Sequence, residues 1–351
     1  MINVLMCCSD LHVKGGMVSV VKNYLGYNWK DVKIKYVPTH IQNKALLIPF
    51  FAVACLRIII YVLFNKPQIA HLHTAERGSF YRKAFLVRLL KRLGVKTIMH
   101  HHAAEFEEFY ANLSDKKKSY VNSSLEKTDV NIVLSKRLIP MIKNKASRAN
   151  VKVLYNAVNT YKENPYNIDE KNILFLGRLG KRKGTYDFLD AFKMIDKDID
   201  SNIKLYLCGD GEVKEVSAYA EKLGLKNRIA HIGWIDGNQK QEFMSHTMIN
   251  VLPSYNEGLP MTIIETMAYG IPNISTPIAS IPEVIHEGET GFLFEPGDKK
   301  ALAERIKNLI NDKKKRFEIS TNSYNLITNT FSLDKNIEKL VDIYKGLIKG
   351  N

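Results

Sequence analysis

The sequence predicts an α/β protein with two doubly wound parallel-sheet domains. Its 351 residues exceed the size at which a single hydrophobic core usually stops growing. Each half contains an apolar run, "INVLMCC" or "NILFLG", followed by a glycine-containing loop and an amphipathic stretch. This order is typical of a buried parallel strand leading into a helix. The halves also differ in charge. Residues 1–155 carry 25 Lys and Arg against 9 Asp and Glu, a net +16, whereas residues 156–351 carry 26 against 27, a net −1.

The charge of the first half indicates an acidic partner, such as an anionic membrane, a lipid phosphate or nucleic acid. Cys7, Cys8, Cys55 and Cys208 show neither metal-ligand nor disulfide-framework spacing. They indicate a reducing cytosol and buried thiols. The start "MINVLMCCSD" has no basic segment and no cleavage site, so we expect a strand there rather than a signal peptide.

The first strand leads into Gly15 and Gly16, and a helix is expected from about Met17. A strand, a glycine loop and a helix form the usual geometry for approaching a phosphate. A plain turn would use the same two residues. The stretch lacks G-x-G-x-x-G, which disfavours a dinucleotide site.

Residues 45–64, "ALLIPFFAVACLRIIIYVLF", are apolar enough to be considered as a membrane-spanning helix. Pro49 and Arg57 argue against one, because a charge near mid-span costs at least about 2.5 kcal/mol. We therefore expect a well-buried helix of the first domain. The remaining alternative is a helix lying on a membrane interface, with Lys44, Arg57 and Lys66 reaching the headgroups.

Five histidines follow two predicted strands. His71 and His73 alternate and so share one face of their strand, while His100, His101 and His102 end the next strand. No carboxylate or cysteine has metal-ligand spacing with them, so we expect no metal. One or two of these histidines should instead lie at the carboxyl ends of the strands, where α/β proteins build their sites.

The second half opens after a polar stretch, residues 156–170, which contains Pro165 and is predicted to be a linker. The strand "NILFL" then leads into "GRLGKRKG", where Arg178, Lys181, Arg182 and Lys183 crowd one turn. Such a loop is either solvated or, at the carboxyl end of a parallel strand, part of a site. Gly209 and Gly211 of the later "GDG" are interpreted as turn glycines.

Residues 253–272, "PSYNEGLPMTIIETMAYGIP", predict a loop and a helix with Pro260 at its first position. Glu257 lies in the loop and Glu265 about 7 Å further along the helix axis. The free amides of the first helical turn attract phosphate, and carboxylates accept hydrogen bonds from hydroxyls. The spacing therefore suits a nucleotide-sugar, whose diphosphate separates two hydroxyl-rich groups. The alternative is an ordinary amphipathic helix with one exposed and one capping acid.

This stretch, with its flanking "LPS" and "AYGIP", resembles the E-x7-E signature of the family 4 retaining glycosyltransferases. The basic loop resembles the "GR…KG" motif of the same family. The resemblance implies a GT-B fold, in which two Rossmann-like domains face a central cleft. It implies an acceptor-binding domain over residues 1–156, a linker over 157–170 and a nucleotide-sugar domain over 171–330. A C-terminal helix over 331–351 would return to the first domain.

The resemblance also implies roles for residues. "HLHTAERGSFYRK" and "HHHAAEF" are similar to the family's acceptor-side motifs. His102, which precedes Ala103, fits the family's active-site histidine best, and His101 is the alternative. The implied catalytic residues are His102, Arg178, Lys183 and Glu257. The implied donor-binding residues are Gly15, Gly16, Arg178, Lys183, Glu257, Gly258, Leu259, Pro260 and Glu265, and the implied acceptor-binding residues are His73, Arg77, Ser79 and Arg82.

The expected function is a retaining transfer of a hexosyl or N-acetylhexosaminyl group from a UDP- or GDP-sugar to a glycan hydroxyl. The acceptor would be carried on a lipid, during synthesis of capsule, O-antigen or exopolysaccharide. We expect no metal or other cofactor and no nucleic-acid partner. The protein should be cytoplasmic and associate peripherally with the anionic inner face of the cell membrane. The alternatives are a nucleotide-sugar epimerase, which the basic first half disfavours, and a non-catalytic nucleotide-binding module.

Overall fold

The computed structural model describes residues 1–13, 15–102 and 105–349, and their contacts divide the chain into two units. Unit 1 comprises Met1–Asn156 together with the C-terminal segment from Leu333. Unit 2 comprises Ala157–Ser332. Within the described residues each unit has one six-stranded sheet whose paired strands are all parallel. The predicted α/β class with two parallel-sheet domains is confirmed.

Unit 1 begins with alternating strands and helices. In chain order they are β1 Ile2–Cys8, α1 Gly16–Gly26, β2 Val32–Pro38, α2 Leu47–Asn65, β3 Ile69–Thr74, α3 Gly78–Arg92, β4 Lys96–His101, α4 Phe106–Ala111, α5 Asp115–Lys127, β5 Val130–Val133, α6 Ile139–Lys143 and β6 Val151–Val153. The strand order is β2-β1-β3-β4-β5-β6, which is the flavodoxin-like order. In that order the chain reverses between β1 and β3, and ligands bind at the carboxyl ends of those two strands.

Unit 2 holds the next elements. They are β7 Asn172–Leu176, α7 Thr185–Ile195, β8 Leu205–Cys208, α8 Val213–Lys222, β9 Ile229–Gly233, α9 Gly237–Ser245, β10 Thr247–Leu252, α10 Met261–Ala268, β11 Asn273–Ser275, β12 Phe292–Leu293, α11 Lys299–Asn311 and α12 Lys313–Leu326, with a π-helix at Ile327–Phe331. The order β12-β11-β10-β7-β8-β9 is that of a dinucleotide-binding Rossmann sheet. Its reversal point lies between β7 and β10.

The last helix, α13 Leu333–Lys349, belongs to unit 1. It is amphipathic, and Leu333, Ile337, Leu340 and Tyr344 are buried at helical spacing. The Tyr344 hydroxyl lies 2.7 Å from Nδ1 of His71 on β3. The helix therefore completes the core of unit 1 although it follows the whole of unit 2 in sequence.

Helix α2 is not the well-buried helix that its composition predicts. Only Ala54, Ile58 and Val62 are buried, a single stripe at four-residue spacing that joins the core of unit 1. Phe51, Cys55 and Tyr61 beside this stripe are partly buried against the same core. The opposite side of the helix is exposed, and Ile48 and Phe64 are each 81% exposed. By length and composition α2 is the one helix among the described residues that could cross a membrane, yet its buried stripe packs it against the unit 1 sheet.

Two further local predictions differ from the structure. Residues 157–170 belong to unit 2, where Asn164 Nδ2 donates to Ser320 Oγ and the Tyr166 hydroxyl donates to the Met248 carbonyl. These side-chain hydrogen bonds tie the polar stretch to unit 2, although its composition predicts a linker. Pro260 is the N-cap of α10 with extended backbone angles, and the helix begins one residue later, at Met261.

All four cysteines are free thiols. Cys7, Cys8 and Cys208 are buried, as expected, whereas Cys55 on α2 is partly exposed. Burial raises the pKa of each thiol, and for Cys7 and Cys208 it does so to about 12.

Candidate functional site

Two loops meet at the reversal point of the unit 2 sheet, one after β7 and one after β10. The Tyr255 backbone N–H donates to the Arg182 carbonyl at 3.0 Å, and an Arg182 guanidinium nitrogen donates to the Asn256 carbonyl at 3.1 Å. Gly184 sits at φ 71°, and a Cβ there would collide with the Pro253 carbonyl oxygen. The close approach of the two loops therefore requires glycine at this position.

Lys183 and Glu257 form an ion pair across these loops. Their side chains are only 14% and 7% exposed, and the Ser254 hydroxyl donates to the same Glu257 oxygen at 2.7 Å. Lys183 ends a 3-10 turn, Lys181–Lys183, that is bounded by Gly180 and Gly184, both with positive φ. The structure thus brings together two of the predicted catalytic residues in a place with little solvent, where charges interact strongly.

Glu265 lies on α10, the helix that leaves the β10 loop. Its carboxylate accepts a hydrogen bond from Lys240 Nζ of α9 at 2.8 Å, and both side chains are partly buried. Each glutamate of the E-x7-E motif is therefore paired with a lysine from another part of unit 2. The two acids keep the spacing that the sequence predicts, one before the helix and one within it.

Arg178 lies in the loop after β7 and is exposed. It makes no ion pair with any described residue, so its guanidinium is available to an anion. The loop is held close to the β8 loop, because a Cβ at Gly209 or Gly211 would collide with the carbonyl oxygen of Gly177 or Leu179. Gly209 and Gly211 are thus required by chain packing, in agreement with their interpretation as turn glycines.

The other predicted donor-binding residues are divided between the units. Leu259 and Pro260 are buried and Gly258 is partly exposed at the start of α10. Gly15, at φ 142°, is the N-cap of α1, and Gly16 is the first residue of that helix in unit 1. A Cβ at Gly15 would meet no other atom within 4 Å, so space is open above this end of α1.

The histidines of unit 1 form a stack at the carboxyl ends of β3 and β4. His71 Nε2 lies 3.1 Å from His100 Nδ1, and His73 Nδ1 lies 2.9 Å from His102 Nε2. Burial lowers the pKa of His71 and His102 to about 3. The imidazoles are therefore neutral at pH 7, and each hydrogen bond fixes a ring orientation. His102 is the partly exposed member of the His73–His102 pair.

The structure distinguishes the two histidines proposed for the active site. His101 points into the core, where its Nε2 lies 3.1 Å from Asn131 Oδ1 and burial lowers its pKa to about 4. His102 is the one at the surface. Ala103, whose small size supported the choice of His102, lies outside the described residues. His73, predicted to bind the acceptor, is fully buried behind His102, so it orients that ring and presents no atom to a glycan.

Among the described residues, one group of side chains has the spacing to hold a metal ion, namely His71, His73 and His100. Their ligand nitrogens lie within 4.8 Å of one another. The group fits a dication poorly. His71 uses both nitrogens, toward Tyr344 and His100, and no carboxylate belongs to the group. The buried Lys83 ammonium also lies close enough to lower the pKa of His73, after burial and two neighbouring histidines.

The three other predicted acceptor-binding residues lie on or before α3. Arg77 is exposed, has φ 57°, and places a guanidinium nitrogen 3.0 Å from Glu105 Oε2. The Ser79 hydroxyl accepts from the Ala75 backbone N–H at 3.1 Å. Arg82 is partly buried, and its Nε has no hydrogen-bond partner. Only Arg82 therefore has an unused buried donor.

Unit 2 also has a cavity of about 710 Å³ beside α7. It is lined by Lys181, Arg182 and Gly184 of the loop after β7, by Tyr186, Asp187 and Asp190 of α7, and by Tyr219, Tyr255 and Lys299. Tyr255 donates to Asp187 and Lys299 to Asp190. The cavity therefore borders the same two loops that hold Lys183 and Glu257, although neither of these two residues lines it.

Sequence reasoning missed three partners of the site. Ser254 precedes Glu257 by three residues in the same loop, so the local sequence holds a weak signal for it. Lys240 and Glu265 are 25 residues apart on different helices, and no spacing rule connects them. Lys83 follows Arg82 and occupies a buried position of α3.

Residues 158–326 match the family model described as "Glycosyl transferases group 1", which covers nearly all of unit 2. Unit 2 is thus similar to the group 1 glycosyl transferases along nearly its whole length. The predicted resemblance to these enzymes is thereby confirmed. The chain is 27% identical to an uncharacterised 41.2 kDa protein in the cps region of Klebsiella pneumoniae, over 95% of this chain and 97% of that one. It is 31% identical to the capsular polysaccharide biosynthesis glycosyltransferase CapM of Staphylococcus aureus, over 50% and 46% of the respective lengths.

Similarity to solved structures shows that the chain has the GT-B fold, as predicted. Sucrose-phosphate synthase from Thermosynechococcus elongatus matches with a TM-score of 0.82 at 17% identity, over 100% of both chains. Anabaena HepE in complex with UDP matches with a TM-score of 0.78 at 16% identity, over 99% of this chain and 100% of that one.

Proposed function

We propose that the protein is a retaining glycosyltransferase that moves a hexosyl or N-acetylhexosaminyl group from a UDP- or GDP-sugar to a hydroxyl of a glycan. The single observation that carries the proposal is the buried Lys183–Glu257 pair at the reversal point of the unit 2 sheet. Ligands of doubly wound sheets bind at this point. The cation suits the diphosphate of the donor, and the carboxylate suits the hydroxyls of its sugar.

The departing diphosphate gains negative charge as the glycosidic bond breaks. Lys183, Arg178 and the first-turn amides of α10 would oppose that charge, and fixed donors of this kind act without reorganisation. Ser254 and Lys183 hold Glu257 in one orientation before substrate arrives. Glu265 would accept hydrogen bonds from the ribose hydroxyls, and Lys240 keeps its carboxylate in place.

His102 would orient the sugar or support the developing positive charge. Its ring is neutral at pH 7, because burial lowers its pKa to about 3. A neutral imidazole can accept or donate a hydrogen bond without adding a charge that repels the developing cation. His73 would act as a positioning residue, since its Nδ1 fixes the His102 ring. We propose that the reaction needs no metal, since side chains and helix amides supply the positive charge.

The biological context is proposed from the relatives. A protein of a cps region and a capsular polysaccharide glycosyltransferase are both similar to this chain. HepE has been solved with UDP-glucose as well as with UDP. These relatives support a role in capsule or related surface-polysaccharide synthesis. We propose that the acceptor is a glycan on a lipid carrier.

A lipid-linked acceptor requires access to a membrane, and unit 1 has two features that suit an anionic one. Residues 32–75 contain no Asp or Glu, and the exposed face of α2 is apolar. Besides Ile48 and Phe64, the outward residues of α2 are Val53, Leu56, Ile60 and Leu63. Arg57 and Lys66 are exposed on or beside this helix. We propose peripheral binding to the cytoplasmic face of the cell membrane, with α2 lying in the interface.

The test is a panel of UDP- and GDP-sugars, first by thermal shift and then by product analysis with and without a lipid-linked glycan acceptor. We expect one donor to raise the melting temperature by mass action. The donor should transfer its sugar with retained anomeric configuration, seen by NMR, and EDTA should not reduce the rate. An epimerised sugar formed without acceptor would instead indicate an epimerase. Binding without turnover across all acceptors would indicate a non-catalytic module.

A further inference from the structure

Lys83 of α3 is a buried ammonium to which the described residues offer no counter-ion. Its side chain is 1% exposed, and its Nζ donates to Thr39 Oγ1 at 2.7 Å. Thr39 in turn donates its hydroxyl to the Cys8 carbonyl at 2.8 Å. Lys83 makes no ion pair within residues 1–13, 15–102 and 105–349. Burying a charge that only a hydroxyl contacts is costly, and burial lowers the pKa of Lys83 to about 8.

Two more basic side chains near Lys83 have unused donors or acceptors. Arg82 Nε and His40 Nδ1 are both buried without a hydrogen-bond partner. Lys83 donates to Thr39, the residue before His40, and burial, followed by the charges of Arg82 and Lys83, lowers the pKa of His40. His40 is therefore mainly neutral at pH 7. Arg82 and Lys83 are like charges close to it, and such a pair does not stabilise the fold and calls for another explanation.

The position of the cluster suggests that explanation. Thr39 and His40 follow β2, Cys8 ends β1, and α3 begins shortly after β3. The cluster therefore lies at the carboxyl edge of β2-β1-β3, beside the reversal point of the unit 1 sheet. The acids of this edge do not neutralise it. Asp10 pairs with His12. Glu76 forms no ion pair with the three basic residues within the described part of the chain, and its Oε2 is buried without a hydrogen-bond partner.

We propose that Lys83, Arg82 and His40 form an anion subsite of unit 1 that binds a phosphate or pyrophosphate group of the acceptor. A phosphate would supply the missing counter-charge and accept hydrogen bonds from several donors at once. It suits the cluster better than a neutral sugar, which would leave the repulsion in place. The proposal rests on the proposed function, and it adds that the acceptor is recognised partly through its phosphate.

The binding test uses the full chain with inorganic pyrophosphate, in a Lys183→Ala background that weakens anion binding by unit 2. We expect pyrophosphate to raise the melting temperature of this background. Adding Lys83→Met should abolish that response, and adding Arg82→Met should reduce it. The matched control is Lys117→Met, an exposed lysine of α5, which should leave it unchanged. Equal responses in the Lys83→Met and Lys117→Met chains would overturn the proposal. An undiminished response with Arg82→Met would overturn it as well, because it would show adventitious anion binding elsewhere.

A second readout is independent of the ligand. Removing an uncompensated buried charge should stabilise the free protein, so Lys83→Met should raise its melting temperature by roughly 2–4 °C. A lower melting temperature would mean that Lys83 serves the fold and would count against the subsite.

A kinetic test asks which part of the acceptor the subsite recognises. It measures sugar transfer to two acceptors that carry the same glycan, one on a lipid pyrophosphate and one on an uncharged alkyl chain. Lys83→Met should raise KM at least ~10-fold for the first only. A soluble glycan phosphate affected equally would show that the phosphate and not the lipid is recognised. Equal effects on the charged and uncharged acceptors would refute the subsite. If no donor is turned over at all, the proposed function fails while the pyrophosphate binding test still stands.

Discussion

The two sheets of this protein present basic residues in opposite ways. At the reversal point of the unit 2 sheet, Lys183 is paired with Glu257, and nearby Lys240 is paired with Glu265. At the corresponding edge of the unit 1 sheet, Lys83 is more deeply buried and has only the Thr39 hydroxyl. Unit 2 pairs the lysines of this region with carboxylates, whereas unit 1 leaves its buried lysine without one among the described residues.

This difference indicates how the basic residues at each edge would respond to an anionic ligand. A paired cation is held in place and can shift toward a diphosphate while its carboxylate turns to sugar hydroxyls. An unpaired buried cation is destabilising until an anion arrives. Substitutions should therefore act in opposite directions on stability: removing the cation should destabilise unit 2 and stabilise unit 1.

The largest effect is expected from Lys183→Ala. The rate of sugar transfer should fall about 10²–10³-fold, the usual loss for one fixed donor to a developing negative charge. Stability should also fall, by about 3–5 kcal/mol, because Glu257 would remain buried without its partner. Steady-state kinetics and urea unfolding measure the two losses. Lys181→Ala, on the exposed side of the same turn, is the control, and equal effects of the two substitutions would remove Lys183 from the site.

Glu265→Ala should weaken binding of the nucleotide alone about 10–100-fold, which is the range for a hydrogen bond to a charged group. Titration calorimetry with UDP and GDP measures this directly. Unchanged affinity for whichever nucleotide binds the wild type would contradict the assignment of Glu265 to the ribose.

Phe64→Glu should reduce binding of the full chain to anionic vesicles about tenfold, because it replaces an 81% exposed apolar side chain of α2 with a negative one. Binding to such vesicles should also fall as salt is added, since surface charges are screened. Vesicle co-sedimentation provides the measurement. Phe317→Glu is the control, an exposed phenylalanine of unit 2. Equal binding to neutral vesicles would show that charge plays no part.

A further effect concerns pH and Lys83. In the folded chain this lysine loses its proton near pH 8, but in the unfolded chain it does so near 10.5. The unfolded state therefore binds more protons between these values, and the contribution of Lys83 makes the protein more stable as pH rises from 8 to 10.5. Measured as wild type minus Lys83→Met, the free energy of unfolding should rise over that interval.

The subtraction is needed because other groups face Lys83. They are Cys7 and Cys8 on β1, Arg82 on α3, His40 after β2 and His73 on β3. Burial raises the pKa of both thiols, so their contribution to stability falls above pH 9. A difference curve that stays flat would mean that Lys83 keeps its proton in the folded chain.

Much of the unit 2 site could be predicted from sequence, because local patterns encode it. A strand that leads into a basic turn between glycines is readable from adjacent residues, and so is an acid just before a helix, although the two stretches lie 74 residues apart. The pairing of Lys183 with Glu257 could not be read in this way. It depends on β7 and β10 being neighbours, which is a property of the strand order.

The sequence was less informative about unit 1, for two physical reasons. Composition alone cannot tell an apolar helix in a core from one on a surface, and α2 has only one buried stripe. His73 lies in a motif that suggests contact with a ligand. Side chains alternate between the two faces of a strand, however, and on β3 this alternation leaves His73 buried. A signal for Lys83 was present, since Phe80, Val87 and Leu90 lie three before, four after and seven after it on the buried face of α3.

The distribution of thiols offers a practical consequence. Three of the four cysteines are buried, and the partly exposed one, Cys55, lies on α2. A maleimide fluorophore should therefore label the native chain first on this helix. Its emission would report the polarity around α2 when vesicles are added, with no engineered attachment point.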